Sequence, residues 1–296
     1  MSEGDGATDA FVAHRDLLFT VAYEMLGSAA DAEDVLQEAW LRWVGADRDQ
    51  VRDARAYLVR LVTRQALNRL RTVQRRRESY VGQWLPEPML TTPDVAEDAE
   101  LAESVSMAVM LVLETLTPTE RAVFVLREVF DVGYDEIADA VGRTPDAVRQ
   151  IAHRARGHVE ARRPRRVVPT AEARAAVASF RRVVETGDLQ ALLDVLAPDV
   201  VLVADGGGVK QAALRPITGA DKVARFLLGA AGEDRVLLTT TATEVNGGPG
   251  LVVHLGAELD GVLALRVEGA RITGLYYVRA PEKLARLGAT GPLRAR

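Results

Sequence analysis

The sequence predicts a multidomain chain, with two all-α domains followed by an α+β domain. Three observations lead there. Apolar residues recur at three- and four-residue spacing through the first half. β-rich runs appear only in the last third, and so do the only lysines, Lys210, Lys222 and Lys283. A chain of 296 residues is long for one small core and suggests two or three domains.

The first helical stretch, DLLFTVAYEMLGSAADAEDVLQEAWLRWV, places Leu18, Val21, Ala22 and Met25 on one stripe and Val35, Leu36, Ala39, Trp40 and Trp43 on another. Gly27-Ser28 separates two amphipathic helices, with Ser28 as N-cap and Asp31 at the third helical position. A third helix, DARAYLVRLVTRQALNRLRTVQRRR, turns Tyr57, Leu58, Leu61, Val62, Ala66, Leu67 and Leu70 inward and leaves its arginines outside that stripe. The stretch RRRESYVGQWLPEPML then breaks the helix, because each proline lacks an N–H and clashes with the preceding turn. A linker carrying Trp84 and Leu85 either packs locally or receives a segment from elsewhere in the chain.

Thr117-Pro118-Thr119-Glu120 reads as a capping box with proline at the first helical position. Next comes a short helix over Asp135 to Val141, a turn at Gly142, and a second helix opened by Thr144-Pro145-Asp146. With Ile137, Val141, Val148 and Ile151 inward, this is a helix-turn-helix. Two packed helices without DNA are the bland alternative; Arg149, Gln150, His153 and Arg154 on the outer face weigh against it. Past Thr170 a helix runs into RVLLTTTATEVNG, GLVVHLGAEL and GVLALRVEGARITGLYYVRA. Gly247-Gly248 and Asp260-Gly261 sit where hairpin turns belong, so a curved antiparallel sheet is expected. The predicted boundaries are 1–77, a linker at 78–104, 105–166 and 170–296.

Net charge is −5, yet its distribution is uneven. Between Arg60 and Arg77 lie seven arginines and no acid; between Arg149 and Arg166, seven arginines and one acid, Glu160. Asp31, Glu33, Asp34 and Glu38 cluster ahead of them, and Glu87 to Glu103 is purely acidic. Local patches decide contacts more than whole-chain charge does, and these two patches suit phosphates. With no cysteine, disulfides and thiolate sites are excluded. His14, His153, His158 and His254 show no metal-ligand spacing, and no metal or cofactor is expected. The N-terminus lacks the features of a signal peptide and no apolar stretch suits a bilayer, so a cytoplasmic protein is expected.

Together these pieces resemble an extracytoplasmic-function (ECF) sigma factor. GSAADAEDVLQEAWLRW resembles the region-2 helix that docks on the polymerase, AYLVRLVTRQALNRLR the −10 recognition helix, and the helix-turn-helix region 4. The tail, VETGDLQALLDVLAPDVVLVADGGG, resembles the SnoaL-like, NTF2-type cone. The fused class shares three further motifs. WLPEP is matched by Trp84, Leu85, Pro86, Glu87 and Pro88. DGGGK is matched by Asp205, Gly206, Gly207 and Gly208, with Val209 inserted before Lys210. NPDKL appears as Ala280-Pro281-Glu282-Lys283-Leu284, with Ala for Asn and Glu for Asp.

The resemblance implies promoter DNA and core RNA polymerase as partners, the latter through its largest-subunit coiled coil and its flap. It assigns Asp31, Glu33, Asp34, Gln37 and Glu38 to the coiled coil. Arg52, Arg60, Arg64, Arg71, Arg75 and Arg76 fall to the −10 region; Asp49, Gln50 and Arg52 lie in a loop that either captures a flipped base or is a simple turn. Thr144, Arg149, Gln150, His153, Arg154 and Arg156 fall to the −35 region. Arg149 suits a bidentate contact to guanine and Gln150 to adenine. The appended domain is expected to dock on the linker through Asp205, Lys210 and Lys283 and to tune activity. Asp205 and Lys210 are the groups expected to hold the linker or its Glu87.

No catalytic residue is assigned. Cone folds also house isomerases and cyclases, for which Asp205, His254 and Tyr276 are the acid–base candidates, and the cone is a possible seat for a small ligand. The alternative from another class is a one-component regulator: an operator-binding helix-turn-helix with a sensing domain. It leaves residues 27–77 without an account.

Overall fold

The computed structural model describes residues 3–47, 51–77, 80–91, 99–162, 170–230, 238–285 and 287. The described residues form two compact units: those within 3–77 and 109–162, and those within 80–108 and 170–287. The linker expected at 78–104 therefore falls almost wholly within the C-terminal unit.

In the first unit, α1 (Glu3–Leu26), α2 (Ala29–Val44) and α3 (Ala54–Arg77) pack on one another. Ser28 caps α2 as its spacing predicts, its hydroxyl accepting from the Asp31 N–H at 3.1 Å. The chain reverses at Gly27, whose φ of 68° is ready for a helix end. Leu18, Val21, Ala22, Met25, Val35, Leu36 and Ala39 are buried with Leu58, Val62, Ala66 and Leu70. Phe11 meets Trp40 edge-on at 5.2 Å.

α4 (Ala99–Val105) and α5 (Met107–Leu113) follow. α6 (Pro118–Phe124) opens with the predicted capping box: the Thr117 hydroxyl accepts from the Glu120 N–H and the Glu120 carboxylate accepts from the Thr117 N–H. α6 continues as a π-turn over Val125–Val129. Then come α7 (Tyr134–Val141) and α8 (Pro145–Glu160), joined at Gly142, which adopts φ 68°. Ile137 and Val148 are fully buried, whereas Val141 and Ile151 are only half-buried. Ala138, Ala140, Ala152 and Ala155 are buried as well.

The second unit is an α+β cone. α9 (Thr170–Thr186), α10 (Leu189–Val195) and α11 (Ala220–Ala230) pack on a six-stranded sheet ordered β2-β1-β6-β5-β4-β3. The strands are β1 (Leu196–Asp205), β2 (Ile217–Thr218), β3 (Leu238–Val245), β4 (Gly248–Leu255), β5 (Glu258–Glu268) and β6 (Arg271–Val278). The sheet is mixed, in contrast to the antiparallel expectation: β1 runs parallel to β6. Phe180, Leu192, Leu202, Val223, Leu251, Leu263 and Leu275 form the core beneath the helices.

The turns also differ from expectation. The β3–β4 hairpin turns on Asn246-Gly247, with φ of 54° and 70°, and β4 begins at Gly248. Two consecutive left-handed residues make this turn, so Asn-Gly suits it. Asp260-Gly261 is no turn but lies inside β5, at a register shift where Val253 faces Gly261 and His254 faces Leu259. Asp260 is the extra residue of a bulge. Gly261 is needed because a Cβ there would sit 2.6 Å from the Val278 carbonyl oxygen. The turn itself is Gly256-Ala257.

Candidate nucleic-acid interface and linker clasp

In the first unit, α3 presents Arg60, Arg64 and Arg71 outside its buried stripe, as expected. Arg60 lies over the Tyr57 ring at 5.3 Å, Arg64 donates to the Asp139 carbonyl at 2.6 Å, and Arg71 is exposed. Arg52 is exposed just ahead of the helix. Arg75 and Arg76 occupy the last turn of α3, and Asp49 and Gln50 lie outside the described residues.

The acids of α2 are not all free. Arg69 bridges Asp31 at 2.8 Å and Asp34 at 2.7 Å, and Arg15 binds both oxygens of Glu33 at 2.8 Å. The bond to Asp31 and the two acids' charge raise the Arg69 pKa against the opposing effect of burial. Gln65, with its amide turned to suit its neighbours, donates to Glu38 and accepts from the Ala39 N–H. Gln37 and Glu38 are exposed.

On the helix-turn-helix, Thr144 caps α8 through the Ala147 N–H at 3.3 Å. Arg149 pairs with Asp146 and lies 5.6 Å from the Tyr134 ring centre, while Gln150, His153 and Arg154 are exposed. Arg156 is held by Glu128 through bonds of 3.0 and 2.6 Å.

The second unit holds a clasp on residues 80–91. Asp205, fully buried at the end of β1, accepts from the Tyr80 hydroxyl at 2.6 Å and the Leu85 N–H at 2.8 Å. It also accepts from the Gly207 N–H at 2.9 Å and the Lys283 ammonium at 2.6 Å. Lys283 donates a second bond, 2.6 Å, to the Leu85 carbonyl, and sits over the Trp84 ring at 4.2 Å and the Tyr80 ring at 5.0 Å. One carboxylate and one ammonium thus take both backbone groups of Leu85. Burial first, and the Asp205 carboxylate second, push the Tyr80 hydroxyl far above its usual pKa, so it stays a donor. Leu85 through Met89 are buried, Trp84 half so.

The glycines make room for this geometry. A Cβ on Gly206 would lie 2.0 Å from the Lys210 carbonyl oxygen, and one on Gly207 would strike Ala280 at 2.9 Å. Gly207 and Gly208 adopt φ of 67° and 71°, which glycine reaches without strain. Lys210 turns away from the linker, against expectation. Its ammonium reaches the Asp260 carbonyl at 2.9 Å and the Asp260 carboxylate at 3.3 Å, because the Gly206–Lys210 turn throws it toward the β5 bulge. Asp260 also accepts from Arg279 at 2.8 and 2.9 Å and from Tyr277 at 2.5 Å. Burial alone would raise the Asp260 pKa; the Arg279 and Tyr277 bonds outweigh it and hold the carboxyl below its usual range.

A second hold lies at the β3–β4 turn. Asn246, fully buried, accepts from the Met89 N–H at 3.0 Å and donates to the Val105 carbonyl at 2.9 Å. Its own N–H donates to the Met89 carbonyl at 2.8 Å, and Leu90 bridges Val245 antiparallel. Tyr80, Asn246 and Asp260 were missed by sequence reasoning; only Asn246, in VNGG, carried a local signal. Asp205, His254 and Tyr276 do not gather into an acid–base site. Asp205 is taken up by the linker, and Tyr276 lies on β6 while His254 lies on β4, two strands away. Among the described residues no group of three or more His, Asp or Glu could hold a metal, and no helix is long and apolar enough to cross a membrane.

The family model for sigma-70 region 2 matches residues 10–77, and that for sigma-70 region 4 matches residues 106–159. The chain is 32% identical over 298 residues to the probable ECF RNA polymerase sigma factor SigI of Mycobacterium tuberculosis, covering 100% of this chain and 98% of that protein. This chain belongs to the ECF RNA polymerase sigma factors. A second member, SigJ of Mycobacterium tuberculosis, is 41% identical over 224 residues, 74% of this sigma factor and 71% of that protein. A crystal structure of SigJ matches with a TM-score of 0.76 at 33% identity, over 97% of this chain and 100% of that one. Like its family, this sigma factor is a transcription-initiation factor and not an enzyme. The region-2 match contains α2 and α3, the region-4 match takes in α6, α7 and all but the last residue of α8, and the NTF2-like cone lies beyond both.

Proposed function

We propose that this sigma factor reads the −10 element with the outer face of α3 and the −35 element with the start of α8, while its C-terminal cone tunes that activity through residues 84–88. Arg52, Arg60, Arg64, Arg71, Arg75 and Arg76 neutralise phosphates along the melted strand. Arg149 and Gln150 meet base edges in the major groove, with Thr144, His153, Arg154 and Arg156 around them. Asp31, Glu33, Asp34, Gln37 and Glu38 meet the coiled coil of the largest polymerase subunit, exchanging Arg69 and Arg15 for the polymerase's own cations; region 4 meets the flap. The factor works in the cytoplasm, where its polymerase is.

The clasp carries the regulatory part of this reading. A buried Asp205–Lys283 pair spent on the backbone of Leu85 makes residues 84–88 part of the C-terminal unit, so the span leading into region 4 responds to the state of the cone. The test is in vitro transcription with core polymerase on a selected promoter, comparing the full chain with Asp205→Asn. Output should change by several-fold with core binding retained. Unchanged output, with linker release demonstrated, removes the regulatory reading.

A further inference from the structure

Asp205 and Lys283 reach Leu85 from two segments that leave the sheet side by side. The β1–β6 ladder ends at the Asp205–Val278 pair. Beyond it the Asp205 carbonyl accepts the Arg279 N–H at 2.7 Å and the Ala280 N–H at 3.1 Å. A second buried carboxylate, Asp260 on the β5 bulge, holds both continuations. It accepts two bonds from Arg279, at 2.8 and 2.9 Å, and one from Lys210 at 3.3 Å. The Lys210 ammonium also reaches the Asp260 and Leu259 carbonyls, at 2.9 and 3.2 Å, and the remaining arm of the Arg279 guanidinium donates to the Gln211 carbonyl. Gly261 makes room for this fork: a Cβ there would lie 3.1 Å from Cγ of Arg279. Tyr277, which packs on the cone core, donates to Asp260 at 2.5 Å.

We infer that Asp260 is the positioning residue of the linker clasp: through Arg279 and Lys210 it fixes the two segments from which Asp205 and Lys283 reach Leu85, and through Tyr277 it ties them to the cone core. None of the side-chain hydrogen bonds that Asp260 makes among the described residues goes to residues 80–91, so it acts only through others. If the network served the cone's stability alone, apolar packing of similar size would serve as well, because a buried charge is costly to desolvate. What marks it out is where its donors sit. Lys210 closes the turn that opens after Asp205, and Arg279 lies four residues before Lys283. The clasp needs such aim: its bonds to Leu85 are 2.8 and 2.6 Å long, and a shift of about 1 Å takes either out of hydrogen-bond range. The consequence for transcription rests on the proposed tuning role of the cone, but the positioning itself is read at Leu85.

Amide hydrogen exchange on the full chain tests this with Asp260→Asn, which removes the charge and keeps the shape. Protection at Leu85 should fall by about tenfold, while the α9 amides from Ala176 to Val183, in the cone core, keep theirs. Added to Asp205→Ala, Asp260→Asn should lower Leu85 protection by less than about threefold more, because no carboxylate is left to aim. Independent roles would instead multiply, to roughly a thousandfold loss in the double variant. Leu85 protection within about threefold of wild type in Asp260→Asn, or losses that multiply, overturns the positioning role. If α9 loses protection together with Leu85 in Asp260→Asn, Arg279→Lys decides, since it keeps a cation but not the fork. There Leu85 should lose protection with α9 intact; a joint loss in both variants makes the network a support of the fold and overturns the inference. Lost Leu85 protection with unchanged promoter output keeps the positioning role and removes only the tuning role of the cone.

Discussion

Asp205→Ala is the sharpest test of the clasp. The carboxylate is fully buried and accepts four bonds, from Tyr80, Leu85, Gly207 and Lys283. Its removal strands the Lys283 ammonium, 9% exposed, and leaves the Leu85 N–H without its acceptor. Breaking one side of a buried ion pair costs about 3–5 kcal/mol, and part of it is recovered here because Lys283 keeps the Leu85 carbonyl and the Trp84 and Tyr80 rings. A net loss of about 3 kcal/mol in the docked state lowers its population ratio by roughly a hundredfold. Amide hydrogen exchange reads this directly: protection at Leu85 should fall by about that factor. The amides of β5 between Leu263 and Val267, in the cone core, should keep theirs. Asp205→Asn with Lys283→Met should recover part of the loss, since a neutral pair leaves no stranded charge. If Leu85 stays within about threefold of wild type in Asp205→Ala, the carboxylate does not hold the linker and the reasoning fails.

Three further outcomes follow from the first unit. Arg149→Ala should relax discrimination at one −35 base by about 1–3 kcal/mol, seen as a flattened preference at that position in binding to a promoter pool; Arg60→Ala with Arg71→Ala should instead weaken all sequences alike and shallow the salt dependence by about 0.7 per lost single-strand phosphate contact. Thr117→Ala removes the hydroxyl half of the capping box on α6 and should lower the stability of the first unit by about 1 kcal/mol in urea titration; no change would mean that the Glu120 bond to the Thr117 N–H suffices.

Most of what lies along single helices was legible in the residues themselves. Ser28, Thr117 and Thr144 cap helices because capping is decided within four residues, and the arginine face of α3 follows from a 3.6-residue period. WLPEP, DGGG and the lysine of the last motif were recognisable too, as a resemblance. What each touches was not. Lys210 and Lys283 are both lysines near a glycine-rich loop, and charge alone favours neither for the linker. The Gly206–Lys210 turn and the β5 bulge sent Lys210 to Asp260 and left Lys283 for Leu85. Asp260-Gly261 read as a turn because the same dipeptide serves a hairpin and a bulge, and only pairing across β4 and β6 separates the two. Asn246 and Tyr80 joined the clasp from 157 and 125 residues away from their partners Met89 and Asp205. Local sequence determined the helices, caps and charged faces, because their energies come from neighbours in the chain. The tertiary structure decided the clasp, because a buried charge takes whichever opposite group the packed fold brings within reach.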